Sequence, residues 1–331
     1  MTVGWGIIGI GVLADVSIAP AITGQGDSEL VAVTSRSLER AEQFAQRHQA
    51  ARAYDDYAAL LADEAVDVVY ISTPNALHAE HTLAALHAGK HVLVDKPMAL
   101  SLEDGRAMVA AAHAAGLKLG VGFQMRHKEA NLAGRDAIGQ GAIGRPVLFE
   151  LSVGAGRDLY PYHTWRADGA LAGGGTLLNQ GTHAIDLLQF LAGSPIVEVS
   201  ALADADAIED AAAVACRLAN GALATIAAHQ VMGGPPRNWL AVGSNGWLEG
   251  HGATTGAAGD EVVLHDAAGG ASTLASSSRS AYDAEIDAFA GAVTGAVEVN
   301  GSGQDGLRVI AVSEALYRST RGRRAIKVEQ V

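Results

Sequence analysis

Two glycine-led stretches and one charged strand end carry the residue types that chemistry needs. Gly9-Ile10-Gly11-Val12-Leu13-Ala14 fits G-x-G-x-x-A directly after an apolar run and before a helical pattern. The first glycine permits a tight turn, the second lets a pyrophosphate approach the backbone, and Ala14 allows close helix packing. In the run His91-Val92-Leu93-Val94-Asp95-Lys96-Pro97, an acid, a lysine and a proline close a short buried strand. Open α/β sheets bind ligands outside the carboxyl ends of their strands, and proline holds the preceding Lys96 in an extended or turn geometry. The same run also reads as a strand that stops at a solvated Asp-Lys pair. Gly173-Gly174-Gly175 opens a helix on which Asn179 and His183 stand at i and i+4, with Asp186 three positions on. A lone histidine among apolar residues is commonly structural, but this one follows a triple-glycine turn that brings backbone close to something.

The second strand discriminates between dinucleotides. An acid at its end would accept hydrogen bonds from an adenosine ribose; here it ends Thr34-Ser35-Arg36-Ser37. A hydroxyl beside a guanidinium suits a 2′-phosphate, so NADP is expected ahead of NAD. Ser72-Thr73-Pro74-Asn75 follows a third apolar run, again where a nucleotide would pass. His78, His81, His87 and His91 lack the carboxylates or cysteines of a metal set and read as surface histidines, with no metal expected. Trp165-Arg166, with Tyr160, Tyr162 and His163, forms a polar aromatic loop that suits a cofactor or sugar face, or a packed tryptophan beside a rim arginine.

The elements that position these groups follow from periodicity. Strands over 3–8, 29–34, 66–71, 91–95 and 117–121 alternate with helices over 13–24, 37–48, 56–63, 76–88 and one opened by Ser101, which predicts a doubly wound parallel sheet, domain 1–122. After it comes a helix near 128–139, a strand over 147–154 and the helix reaching 192. Strands then follow over 196–203, 211–218, 222–229, 238–242, 246–249 and 261–265, with turns around a weak hairpin in 252–277. Two helices, 281–294 and 303–320, end the chain, and they can pack back on the first domain. The second domain, 123–331, is therefore expected to be α+β with a large, mainly antiparallel open sheet.

Composition sets the outer limits. The chain has 331 residues, 49% hydrophobic and 18% charged, which describes a globular protein of two domains. A net charge of −13 without a basic patch excludes a nucleic-acid partner. The one cysteine, Cys216, sits in an apolar run and reads as a buried, inert thiol. A strand begins almost at the amino terminus, and no apolar run reaches the roughly 20 residues of a membrane helix. The expectation is a cytoplasmic protein.

Together these residues resemble the glucose–fructose oxidoreductase/inositol dehydrogenase/rhizopine-catabolism (Gfo/Idh/MocA) family of NAD(P)-dependent oxidoreductases, over essentially the whole chain. The marks are Gly9 to Ala14, Thr73-Pro74-Asn75-Ala76-Leu77-His78, Ala88-Gly89-Lys90-His91-Val92, Asp95-Lys96-Pro97, Trp165-Arg166, Gly173-Gly174-Gly175, Gly181-x-His183-x-x-Asp186 and Ser313-Glu314-Ala315-Leu316-Tyr317-x-Ser319. The Ser35-Arg36 strand end is similar to that of NADPH-linked sugar reductases of the 1,5-anhydrofructose reductase kind. The resemblance implies a Rossmann domain, and a second domain whose open sheet carries the substrate and makes contacts in a homodimer or homotetramer. It implies hydride transfer between nicotinamide and a hydroxyl/carbonyl carbon of a sugar, polyol or cyclic sugar derivative. Lys96 and His183 resemble the catalytic pair, the lysine polarising the substrate oxygen and the histidine serving as its acid/base. Cofactor contacts are implied at Gly9, Ile10, Gly11, Val12, Leu13, Ser35, Arg36, Ser72, Thr73, Pro74, Asn75, His78, Asp95, Lys96, Trp165, Arg166 and Tyr282. Substrate contacts are implied at Lys96, Arg126, Tyr162, Asn179 and His183. Two positions depart from the family: Asp95 replaces the usual Glu, and Asn179 stands where many members have Asp. Asparagine can orient a hydroxyl but cannot take a proton. A cofactor-binding sensor without catalysis and an NAD-dependent glycoside hydrolase are the alternative functions on the same fold.

Overall fold

A computed structural model describes residues 2–156, 164–205, 207–231, 238–254 and 259–331. The chain divides into two compact units, Met1–Gly122 with Tyr282–Leu307, and Phe123–Ala281 with Arg308–Val331.

Unbroken apolar runs become the central strands of the first unit. β1 (Val3–Ile8) and β4 (Val68–Ile71) are buried at every position, as strands covered on both faces must be. With β2 (Ser28–Thr34), β3 (Arg52–Tyr54), β5 (His91–Val94) and β6 (Leu119–Val121) they form a parallel six-stranded sheet, in the order β3-β2-β1-β4-β5-β6. The strand order reverses between β1 and β4, the place where such sheets open a ligand crevice. Edge strand β3 is absent from the sequence reading because Arg-Ala-Tyr offers no apolar run.

The crossover helices are α1 (Ala19–Thr23), α2 (Leu38–His48), α3 (Tyr57–Leu61), α4 (His78–His87) and α5 (Leu102–Ala115). Ser37 Oγ caps α2 by accepting from Arg40 N, and Ser101 Oγ caps α5 by accepting from Asp104 N. The expected single helix 13–24 is a π-helical turn, Ala14–Ile18, that tightens into α1. Pro20 has no N–H to close an α turn onto Val16, and the change of helix type falls beside it. Trp5, Ile7, Ile18, Val33, Tyr70 and Leu93 share one core with Ile286, Phe289 and Ala290 of α9 (Ala281–Val293). Each such buried side chain contributes about 1.5–3 kcal/mol.

In the second unit the grammar is period two. β9 (Ala211–Leu218) and β10 (Leu223–His229) alternate exposed and buried along their length, as in a sheet with one face on the core. They join β7 (Pro146–Gly154), β8 (Ile196–Ala203), β11 (Asn238–Gly243), β12 (Gly246–His251), β13 (Asp260–Asp266), β14 (Ala271–Ser277) and β15 (Ile326–Lys327) in one nine-stranded sheet. The order is β14-β13-β12-β11-β7-β10-β9-β8-β15, with only β7 and β10 parallel. The hairpin in 252–277 is a full strand pair, β13–β14. Its polar, Ala-rich outer strand hid it from the hydrophobic pattern.

Helices α6 (Glu129–Gly139), α7 (Gly169–Ala172), α8 (Thr182–Ala192) and α10 (Gly303–Gly322) complete the fold. α6 is keyed to the sheet by Trp239, whose Nε1 donates to Asn131 Oδ1 at 2.7 Å. Cys216 is buried on the inner face, and burial pushes its thiol up to about 12, an unreactive group. No helix of the described residues is long and apolar enough to cross a membrane.

Candidate active site

In the first unit, backbone bonds stitch the carboxyl ends of five neighbouring strands into one rim. Gly9 N donates to Thr34 O, Ser72 N to Ile8 O, Asp95 N to Ile71 O, and Gly122 N to Val94 O. The glycine loop, Ser72–Asn75 and Asp95–Lys96 therefore share one edge of the sheet. Gly9 has φ +96°, and a Cβ there would lie 2.7 Å from Ser72 O, so both conformation and space demand glycine. A Cβ on Gly11 would meet nothing within 4 Å. It would instead fill part of a cleft of about 340 Å3 lined by Ile10, Gly11, Val12, Asp15, Arg40, Gln43, Phe44 and Arg47. Such a cradle, with exposed backbone at the start of a helix, fits the pyrophosphate of a dinucleotide. Ser35 is half-buried and Arg36 exposed at the end of β2, and Arg40 lines the same cleft from α2. Asp15 is bound by His48 and Arg47, each at 2.6 Å, and these bonds, His48 first, hold its carboxyl below the usual range.

Lys96 is buried, 9% exposed, and its N–H donates to Asp95 Oδ1 at 2.8 Å. The Lys96–Pro97 peptide is cis. Behind this turn lies His78, fully buried, with Nδ1 2.7 Å from Pro97 O and Nε2 2.9 Å from Thr73 O. Burial lowers its pKa and outweighs the two carbonyls, which favour the cation. The neutral ring donates to one carbonyl at a time, and it ties the Thr73-Pro74 loop to the Lys96-Pro97 turn. The reading of these histidines as surface residues is thus corrected for His78 and for His81, whose Nδ1 meets Thr73 Oγ1 at 3.0 Å. Only His87 is exposed. His78 and His81 lie on the one buried face of α4, with Thr82, Ala85 and Leu86. Tyr282, Ile10 and Leu13 pack partly buried against the core of the same unit.

In the second unit, the helix carrying His183 opens with a π-helical turn, Leu177–Gly181, before α8. Asn179 lies in this turn and His183 in the first turn of α8. The triple glycine explains how this turn is held. A Cβ on Gly175 would lie 2.1 Å from Glu209 O, and one on Gly174 would strike Tyr317 Oη at 1.8 Å. Through that close approach, fully buried Glu209 accepts from Gly175 N at 3.1 Å, Leu177 N at 2.7 Å and Tyr317 Oη at 3.0 Å. Burial raises the pKa of Glu209 and outweighs these donors. Asn179 is half-buried and donates from Nδ2 to Gln230 Oε1 at 3.2 Å. His183 is buried, 7% exposed.

Arg126 is held inside this unit. Its Nε and Nη2 grip the Asp186 carboxylate at 2.6–3.0 Å, and its guanidinium stacks 5.0 Å from the centre of Phe190. The pair is buried on both sides and fixes α8 one turn beyond His183. The Arg166 guanidinium lies 4.4 Å over the Trp165 ring. Tyr160, Tyr162 and His163 lie outside the described residues. Among the described residues, no group of three His, Cys, Asp or Glu side chains could hold a metal. The residues that sequence reasoning missed are Arg40, Glu209 and Gln230, while Tyr317 stood only within the Ser313–Ser319 family mark. Arg40 stands in the first turn of α2, four residues after Arg36, a usable signal; Glu209 and Gln230 sit beside strand ends with no motif.

Residues 3–123 match the model of an oxidoreductase family with an NAD-binding Rossmann fold, and residues 132–249 match the GFO/IDH/MocA C-terminal domain. The 1,5-anhydro-D-fructose reductase of Ensifer adhaerens is 32% identical over 332 residues, 98% of each chain. The aldose-aldose oxidoreductase of Caulobacter crescentus, solved with glycerol, superposes with a TM-score of 0.90 at 28% identity, over 99% of this chain and 100% of that one. A 3-ketoreductase from Actinomadura kijaniata, solved with NADP and TDP-benzene, gives 0.85 at 25% identity over 96% and 98%. With both family models matched in order and a full-length relative beside them, the chain belongs to the GFO/IDH/MocA family of oxidoreductases and carries its NAD(P)-binding Rossmann fold.

Proposed function

We propose that the protein is an NADP(H)-dependent oxidoreductase that interconverts a hydroxyl and a carbonyl carbon of a sugar, polyol or cyclic sugar derivative. The observation that carries the cofactor preference is the end of β2: exposed Arg36 beside Ser35, with no carboxylate, and Arg40 on the cleft that Gly11 opens. Guanidinium and hydroxyl groups there suit a 2′-phosphate. The sugar class rests on the relatives, which are named for sugar substrates.

When bound, the nicotinamide takes or gives the hydride. The protein's own share is to bind, orient and move a proton. Gly9 to Leu13 and Ser72 to Asn75 hold the dinucleotide, with Trp165, Arg166 and Tyr282 as further contacts. The Lys96 ammonium donates a hydrogen bond to the reacting oxygen and lowers the energy of negative charge on it. His183 takes that oxygen's proton during oxidation and returns it during reduction. Asp95 fixes the Lys96 turn through its bond to Lys96 N.

Fluorescence titration of NADPH and NADH tests the cofactor reading. Arg36→Ala is expected to weaken NADPH binding by about 10-fold or more, the worth of a charge-assisted hydrogen bond, and to leave NADH within about twofold. A wild-type preference for NADH would overturn it.

We also infer a homo-oligomer whose copies meet on the outward sheet face. Leu202 is 72% exposed there, with Ala213 and Ala227 exposed in register beside it. Leu202→Glu should raise the fraction of single chains seen by light scattering. A wild type that is already a single chain would contradict the inference.

A further inference from the structure

Among the described residues that line the glycine cleft, Asp15 is the one carboxylate. Its backbone N–H donates to Gly11 O at 3.0 Å, which places it one turn along from the glycine that admits phosphate. The opposite wall is α2, where Arg40, Gln43, Phe44 and Arg47 recur at helical spacing along one face. Arg47 Nη1 reaches across and donates to both Asp15 oxygens, at 2.6 and 2.7 Å. His48 Nε2 meets Asp15 Oδ1 at 2.6 Å, and a carboxylate only accepts, so that ring nitrogen carries the proton. With its pKa held low by these partners, the Asp15 carboxyl stays ionised.

We propose that Asp15 and Arg47 form a specificity element for the dinucleotide: Arg47 cancels an acid that stands in the cleft, and thereby keeps the cleft open to the 2′-phosphate of NADP. The inference rests on the NADP(H) reading above and names how charge in that site is balanced. A phosphate monoester adds about 1.5–2 negative charges near neutral pH, so an uncancelled carboxylate opposes NADP more than NAD. The cleft holds about 340 Å3, an edge of about 7 Å, which is within the roughly 10 Å over which charge acts at 0.1 M salt. Arg47 thus acts on the cofactor through Asp15 and is a positioning residue. The acid has its own structural task. Its bonds join the π-helical turn Ala14–Ile18 to the last turn of α2, the two walls of the cleft.

Fluorescence titration of the full-length protein with NADPH and with NADH gives the ratio of their dissociation constants. The two dinucleotides differ only in the 2′-phosphate, so a general disturbance of the cleft cancels in that ratio. Arg47→Ala is expected to raise the NADPH-to-NADH ratio about fivefold over wild type, the effect of one charge on about two at about 8 Å in water. Arg47→Lys, which keeps the charge, should stay within about twofold of wild type. Asp15→Asn alone should lower the ratio. Asp15→Asn combined with Arg47→Ala should return it to within about twofold of wild type. The effect of Arg47→Ala should also fade in about 1 M salt, where charge acts over only about 3 Å.

An unchanged ratio in Arg47→Ala overturns the proposal. So does a double variant as impaired as Arg47→Ala, since Arg47 would then hold the phosphate itself. Should Arg47→Ala bind neither dinucleotide, Asp15→Asn decides alone, and a ratio that does not fall overturns the proposal. A wild type that prefers NADH defeats the NADP(H) reading, while the change in ratio among the variants still decides the charge balance. A wild type that binds neither dinucleotide defeats both.

Discussion

Lys96→Met and His183→Ala are each expected to lower turnover by about 10²-fold or more, with the NADPH dissociation constant of His183→Ala within about twofold of wild type. The two variants lose different things. Methionine keeps most of the lysine's length and apolar stem but has no donor, so the oxygen that must carry charge in the transition state is left without its partner. Alanine at 183 removes the group that takes and returns the proton. Neither residue lines the glycine cleft. Steady-state rates with nicotinamide absorbance, beside a fluorescence titration of NADPH, check both halves of the statement. Near-normal turnover in either variant removes that residue from its role. His183→Ala should in addition flatten the limb of the pH–rate profile that His183 produces, which loss of folding alone would not do.

Asp186→Ala is the substitution with the largest expected effect on stability, about 3–5 kcal/mol. The carboxylate is 1% exposed and takes three hydrogen bonds from an Arg126 that is itself 7% exposed. Removing it strands a guanidinium among Phe123, Phe190 and the apolar body of α8. The cost comes mainly from that stranded charge and only in small part from the lost attraction. Replacing both partners, Arg126→Met with Asp186→Leu, should therefore recover much of the loss. Urea unfolding of the two proteins measures the difference. A single variant that unfolds at the wild-type urea concentration would show that the pair carries little. Through Asp186, Arg126 also supports the helix that bears His183.

How much of this was legible in the sequence depends on whether a feature is local. Gly9 to Ala14 announced a dinucleotide turn because φ and close approach at Gly9 leave no other residue type. The β9 and β10 pattern announced a one-sided sheet because alternation is a direct image of the pleat. Features made by distant partners were not legible. The triple glycine signalled a close approach, yet its partners are Glu209 and Tyr317, more than thirty and a hundred residues away respectively. Arg126 meets Asp186 across sixty positions. His78 reads like any polar residue on an amphipathic helix until the carbonyls of Thr73 and Pro97 close around it. The π-helical turns at Ala14–Ile18 and Leu177–Gly181 leave no mark in residue type.

The central claim is that this chain moves hydride and proton between a nicotinamide and a sugar carbon, with His183 as the acid/base. Its most direct test is the change in nicotinamide absorbance when NADPH and a ketosugar panel, or NADP and a polyol panel, are mixed with wild type and with His183→Ala. The account predicts stoichiometric reduction or oxidation of at least one sugar by wild type, slowed by about 10²-fold or more in the variant. Tight NADPH binding without any absorbance change across the panel would contradict it and leave a cofactor-binding sensor. Equal rates in the two proteins would contradict the role of His183.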